Sequence, residues 1–165
     1  MNFFDPQCQT GPFNDALFGL CDDQSSTTAY VDLTAQENWL ATVENPNERD
    51  VIFTAIDKCV IKDDEAAGVK RCDCMLTTHQ ELYLIELKDW SRGGWQARSI
   101  EQLKCTIELL EASHTEEVLN RYRPKKAYIC NNRKSPFPRT DFNTKNHFYR
   151  SYRFRLYIQT IVKIP

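Results

Sequence analysis

The stretch ELYLIELK, Glu81 to Lys88, constrains this chain more than any other. Its apolar residues run nearly unbroken, as in a strand covered on both faces of a sheet, yet it closes on Glu86 and Lys88. Residues two apart on a strand share a face, so an acid and a base stand together at the end of a core strand. An unpaired charge is costly to bury, so such a group is normally paired, neutralised or bound to a metal.

Upstream, CDCMLTT (Cys72 to Thr78) reads as a second extended run, with His79-Gln80 as a two-residue turn between the two. Counting outward from that turn sets Asp73 opposite Glu86. Alternation then places Asp73, Glu86 and Lys88 on one face of the hairpin and Cys72, Cys74, Ile85 and Leu87 on the other. Opposed residues have Cβ atoms about 5 Å apart, where two carboxylates repel and call for a cation. A hard divalent ion, Mg²⁺ or Mn²⁺, commonly takes one or two carboxylates and keeps waters and phosphate oxygens elsewhere. Lys88, about 7 Å along the strand from Glu86, is placed to stabilise negative charge developing on a phosphate. The set fits metal-assisted phosphodiester hydrolysis. If the longer turn before Asp73 centres on Glu65, Asp57 faces Asp73 and becomes a further candidate ligand, with a solvated strand-end aspartate as the competing reading.

The flanking elements follow from pattern. Thr34-Ala35-Gln36-Glu37 has the form of a capping box, and Trp39, Leu40 and Val43 form an apolar stripe that Asn45-Pro46 ends, which predicts a helix. Val51 to Ile61 predicts a strand, giving a three-stranded meander with the hairpin. From Trp95 the period changes: Ile100, Leu103, Ile107 and Leu110 mark one face of a long amphipathic helix, and Pro124 ends its continuation. KKAYICN and FRLYIQTIVKI read as further strands, and the residues before Thr34 as irregular.

With this order, the run Cys72-Asp73, twelve intervening residues, then Glu86-Leu87-Lys88 resembles the motif of the PD-(D/E)XK nuclease superfamily, with Cys72 where the family has proline. The resemblance covers residues 34–130. It implies an α/β, restriction-endonuclease-like fold: an α-β-β-β-α-β core with a mixed central sheet flanked by helices, here with an additional C-terminal strand. The chain is then a single domain with an irregular extension over 1–33 and a basic, aromatic loop and strand over 131–165. The resemblance also implies that Asp73 and Glu86 bind Mg²⁺ or Mn²⁺ and that Lys88 assists the attacking water. Gln102 in IEQLK looks like the glutamine that many members carry on the helix after the third strand. At about 100° per residue, Gln102 lies well away from the apolar stripe, so a surface glutamine is the alternative.

The net charge of -2 hides an asymmetry: residues 1–70 carry 4 basic and 13 acidic residues, whereas 121–165 carry 12 basic residues and one acid, Asp141. Lys125, Lys126, Arg133, Lys134, Arg139, Arg150 and Arg153, interleaved with Phe148, Tyr149, Tyr152 and Phe154, suit contact with phosphates and stacking on bases. The alternation in YRSYRFRLY is also that of a strand with an aromatic face buried and a basic face in water. The acidic N-terminal half could instead pair with this surface or with a protein partner, and the family resemblance allows a homodimer.

Seven cysteines, an odd number without the spacing of a disulfide framework, suggest reduced thiols. Cys72 and Cys74 lack a second pair at zinc-site spacing and read as small core residues. No run of about 18 apolar residues offers a membrane span, and the N-terminus lacks the pattern of a signal peptide. The expectation is a cytoplasmic, metal-dependent nuclease acting on DNA, without membrane association. The alternative is an inactive module of the same fold that binds nucleic acid or a partner protein.

Overall fold

The computed structural model describes residues 1–23, 27–64, 68–89, 93–132 and 142–165. Arg133, Lys134 and Arg139 lie outside the described residues. The elements are β1 (Gln9–Phe13), β2 (Leu17–Cys21), β3 (Tyr30–Asp32), β4 (Ala41–Glu44), β5 (Val51–Ala55), β6 (Cys74–Thr77), β7 (Leu82–Lys88), α1 (Trp95–Ser113), α2 (Glu116–Leu119), β8 (Lys125–Asn131), α3 (Phe142–Tyr152), β9 (Arg155–Ile158) and β10 (Ile161–Lys163).

They form two sheets. The larger has the order β1-β5-β6-β7-β8-β9 and is mixed: antiparallel from β1 to β7, parallel from β7 to β9. The smaller has the order β10-β4-β2-β3. The large sheet lies between two apolar layers. On one side Tyr83, Ile85 and Leu87 of β7 join Phe18 and Leu20 of β2, Val43 of β4 and Val162 of β10. On the other, Leu82 and Leu84 join Leu103, Ile107 and Leu110 of α1 and Phe148 of α3. Both faces of β7 are therefore covered, which is why its sequence is apolar without alternation. The fold is α/β, with mixed sheets flanked by a few helices. Among the described residues, no helix is long and apolar enough to cross a membrane.

The hairpin register is the expected one, with Cys74 opposite Ile85 and Thr77 opposite Leu82. Several other expectations are corrected. The helix expected from Thr34 is absent. Asp32 Oδ1 accepts the N–H groups of Thr34 and Ala35 at 2.6 and 2.9 Å, and only a 3-10 turn follows, over Gln36–Asn38. Beyond it, Ala41 and Val43 turn inward in alternation as β4, between β2 and β10. Tertiary partners here override a local capping signal. Trp39, expected on a helical stripe, lies across Gly19, where an added Cβ would come within 2.0 Å of its ring.

Residues 1–33 are not an irregular wrap but supply β1, β2 and β3. The last expected strand is two strands in different sheets, and the basic aromatic segment before it is the helix α3 rather than an extended run. Finally, Cys8 and Cys59 form a disulfide, while Cys21, Cys72, Cys74, Cys105 and Cys130 are free. Disulfides persist in oxidising surroundings, so this bridge does not follow from a cytoplasmic setting.

Candidate active site at the end of β7

Asp73 sits at a bend immediately before β6, and the bend decides what each neighbouring side chain can reach. Its backbone carbonyl accepts the N–H groups of Ile56 and Asp57 at 3.0 and 3.3 Å. Its carboxylate turns the other way, and Oδ2 accepts the N–H of Leu87 at 2.5 Å. A side chain thus replaces the backbone where the β6–β7 ladder stops, which ties the carboxylate to the end of β7.

Helix α1 grips the two preceding residues. Gln102 Nε2 donates to the carbonyl of Arg71 at 2.9 Å, and the N–H of Cys72 donates to Thr106 Oγ1 at 2.8 Å. The Thr106 hydroxyl in turn donates to the carbonyl of Gln102 at 2.8 Å. Gln102 is therefore a positioning residue for the Asp73 segment in this structure. Cys72, expected on the face of Cys74, packs instead with Met75 in the helix-side core, because the chain leaves the regular ladder at Asp73.

Glu86 is fully buried. Lys88 Nζ is ion-paired with Glu86 Oε1, while Glu86 Oε2 has no hydrogen-bond partner among the described residues. Burial first, and then the nearby Asp73, push the Glu86 carboxyl well above the usual carboxylate range, against the pull of Lys88. Burial raises Asp73 to about 7 despite the Leu87 N–H and the Lys88 charge. For Lys88, burial works toward the neutral amine but is outweighed by Glu86 and, further down, by Asp73 and Asp22, so its pKa rises. The two carboxyls thus hold protons more tightly than free carboxyls do, first because burial disfavours the charged form and then because neighbouring acids add to it.

Asp57 also belongs to this neighbourhood, and its charge raises both Asp73 and Glu86. Its expected pairing with Asp73 is corrected. The β5–β6 register, Ala55 opposite Cys74, is one residue off that alignment, and β5 ends before Asp57. Its Oδ1 accepts from Arg71 Nε at 2.5 Å, so it is already neutralised. Asp22, which follows β2, was not anticipated; its charge bears on both Asp73 and Lys88. Nothing in the sequence pattern links it to the hairpin, because it comes from the other sheet.

Among the described residues, no group of three or more His, Cys, Asp or Glu side chains is arranged to hold a metal ion. What the site offers is two adjoining carboxylates, one with a buried and unpartnered oxygen. That fits a hard divalent ion, which needs only one or two carboxylates from a protein.

The expected nucleic-acid contacts separate into different surroundings. Lys126 is internal: Nζ lies 3.2 Å from Glu81 Oε1 and 4.9 Å from the centre of the Tyr83 ring. Arg150 is exposed on α3. Lys125 and Arg153 line a cavity of about 670 Å³ together with Arg123 and Arg155, which belong to the same basic C-terminal segment. No family model, curated protein or solved structure matches the chain.

Proposed function

We propose that this protein is a divalent-metal-dependent nuclease of the restriction-endonuclease-like type, hydrolysing phosphodiester bonds in DNA. The observation that carries the reading is Glu86: fully buried, with Oε2 unpartnered, beside Asp73 and Lys88. The run β5-β6-β7-α1-α2-β8 supports it as well, since it has the meander, long helix and parallel strand of the core implied by the motif, without that core's first helix. Asp73 and Glu86 would hold Mg²⁺ or Mn²⁺, which supplies Lewis acidity toward a phosphate oxygen and lowers the pKa of water.

The chain's own residues do the rest. Lys88 reaches the pair from the last position of β7 and keeps a positive charge where the phosphate must sit, stabilising charge that grows in the transition state. Gln102 and Thr106 hold residues 71 and 72 to α1, and so keep Asp73 at the end of β7. The apolar layers around Glu86 keep bulk water from the carboxylates.

A second reading, a non-catalytic module, is favoured by one observation: Lys88 already neutralises one oxygen of Glu86. Incubating the protein with supercoiled plasmid, linear DNA, single strands and RNA, in Mg²⁺, Mn²⁺ or EDTA, separates the two. Nicking or cutting of DNA that needs the metal and is lost in Asp73→Asn supports the nuclease. Intact substrates in every arm, with nucleic acid still bound, leave the module.

A further inference from the structure

At the opposite end of the parallel strands lies a cavity of about 670 Å³, lined by Asn120, Tyr122, Arg123, Pro124, Lys125, Tyr149, Arg153 and Arg155. It is built by the topology. Lys125 opens β8 and pairs with Leu82, the first residue of β7, while Arg155 opens β9 and pairs with Lys126. Glu86 and Lys88 are at the far end of β7, so this cavity is not part of the carboxylate site.

Four cations converge on it: Arg123, Lys125, Arg153 and Arg155. Among the described residues, none of the four is ion-paired. The charge of Lys125 bears on the Glu111 carboxyl, but the two do not form an ion pair. Lys125 Nζ lies over the Phe154 ring at 5.4 Å, which steadies the ammonium without discharging it. Like charges gathered in one concavity repel each other and await an anion.

Arg153 adds an independent observation. It occupies the position that ends α3, with φ 59°, and its N–H donates to the Tyr149 carbonyl at 2.8 Å. A left-handed residue closing a helix is usually glycine, because a side chain there is strained. Here an arginine takes the strain and places its guanidinium in the cavity wall. Strain of this kind gathers where a side chain has work to do.

We propose that this cavity binds a nucleoside phosphate, either a free nucleotide or the terminal nucleotide of a strand. The guanidinium groups match phosphate oxygens in paired hydrogen bonds. The two tyrosines supply the rest: Tyr149 is 43 % exposed, and Tyr122 is backed by Phe4, whose ring stacks on it at 5.7 Å. An aromatic base can lie on such a surface, as it does in single-strand binders. The volume is within the range of small-ligand sites, about 300 to 1,000 Å³.

Calorimetric titration in EDTA, so that no strand is cut, tests the site with four probes: inorganic phosphate, adenosine 5′-monophosphate, and a twelve-residue single strand with and without a 5′-phosphate. The expected result is saturable binding of the nucleotide at least about tenfold tighter than inorganic phosphate. A strand that binds more tightly than the nucleotide only when phosphorylated identifies a strand end as the source; a nucleotide that binds at least as well identifies the free ligand. Arg153→Gly suits the left-handed backbone and removes only the side chain, so it folds as well as the wild type and loses about tenfold in affinity. Glu86→Gln leaves binding unchanged, which separates this site from the proposed nuclease centre. The proposal is overturned if neither the nucleotide nor the phosphorylated strand saturates the protein. It is also overturned if phosphate alone binds as well, or if Arg153→Gly binds like the wild type.

Discussion

The two ends of the strands β7, β8 and β9 handle charge in opposite ways. At the end of β7, acids are drawn into the interior: Glu86 is fully buried and Asp73 nearly so, and their protons are held tightly as a result. At the start of β8 and β9, cations ring an open cavity and remain in water. Solvated charges cost little and are screened by salt, whereas buried ones interact strongly and demand a specific partner. The buried end is therefore suited to chemistry on a small, highly charged group, and the open end to holding an anion.

The largest effect that would break this contrast is catalytic. Asp73→Asn and Lys88→Ala each lower DNA cleavage by about 100-fold to 1,000-fold if they act on charge formed in the transition state. Arg153→Gly, at the other end, leaves the rate on saturating substrate within about threefold. Single-turnover plasmid nicking reads both, and equal losses at the two ends would erase the distinction.

Two neighbouring lysines sharpen the same point through stability. Lys126 is paired with Glu81, which is itself 4 % exposed and accepts a hydrogen bond from the Tyr83 hydroxyl at 2.9 Å. Lys126→Met leaves that acid buried with Arg49 as its remaining cation, at 3.7 Å. The expected cost is about 3 kcal/mol. Lys125→Met, one residue away on the cavity side, costs about 0.5 kcal/mol or less. Urea denaturation of the two variants measures the difference, and similar midpoints would show that both lysines are equally solvated.

These two lysines also mark what could be read from the sequence. KKAYICN announces a strand, but which lysine faces an internal acid depends on Glu81 and on the register against β7. The hairpin register from Cys74 to Ile85 was legible, because a short turn fixes it, but the bend at Asp73 that turns Cys72 to the other layer was not. Asp57 was misaligned by one residue because the turn before Asp73 is long. Asp22 and β4 were not legible at all: each gains its position from strands distant in the chain, and the Thr34 signal was absorbed by a turn capped by Asp32. Arg123 and Arg155 belong to a basic segment suited to phosphate, but that they meet depends on the crossover through α3, which sets β9 beside β8. The meander and the site on it are local, whereas the second sheet and the basic cavity are made by long-range pairing.

The buried end should also answer to pH. In the folded protein Asp73 is raised from 3.8 to about 7, so between those values the native state holds a proton that the unfolded chain releases. Stability from this group is fully present below the unfolded pKa and is lost as pH rises through the folded value, by an amount on the order of 2 kcal/mol after allowing for coupling to Glu86 and Lys88. Without metal, the melting temperature falls as pH rises through that window. Mg²⁺ at millimolar concentration restores part of it at pH 8 and little at pH 5, where protons compete for the carboxylates. Glu86→Gln removes most of the metal-induced rise. Calorimetry at the two pH values, with and without Mg²⁺, checks this; a metal effect equal at both, or retained in the variant, would remove the two-carboxylate ion site.

The smallest expected effect comes from the solvated end, and it is visible mainly in salt. Each phosphate contact made by a cavity arginine releases condensed counterions when a single strand binds, contributing about 0.7 to the slope of log K against log salt concentration. Arg155→Gln and Arg123→Gln should each reduce that slope by about this amount, with modest loss of affinity and no change in fold. Arg121, already 3.7 Å from Glu117 on the surface, lies outside the cavity lining and serves as the control. Arg121→Gln should leave the slope unchanged. If the control shifts the slope as much as the cavity variants do, the basic end acts as diffuse charge, and the contrast with the carboxylate end reduces to burial alone.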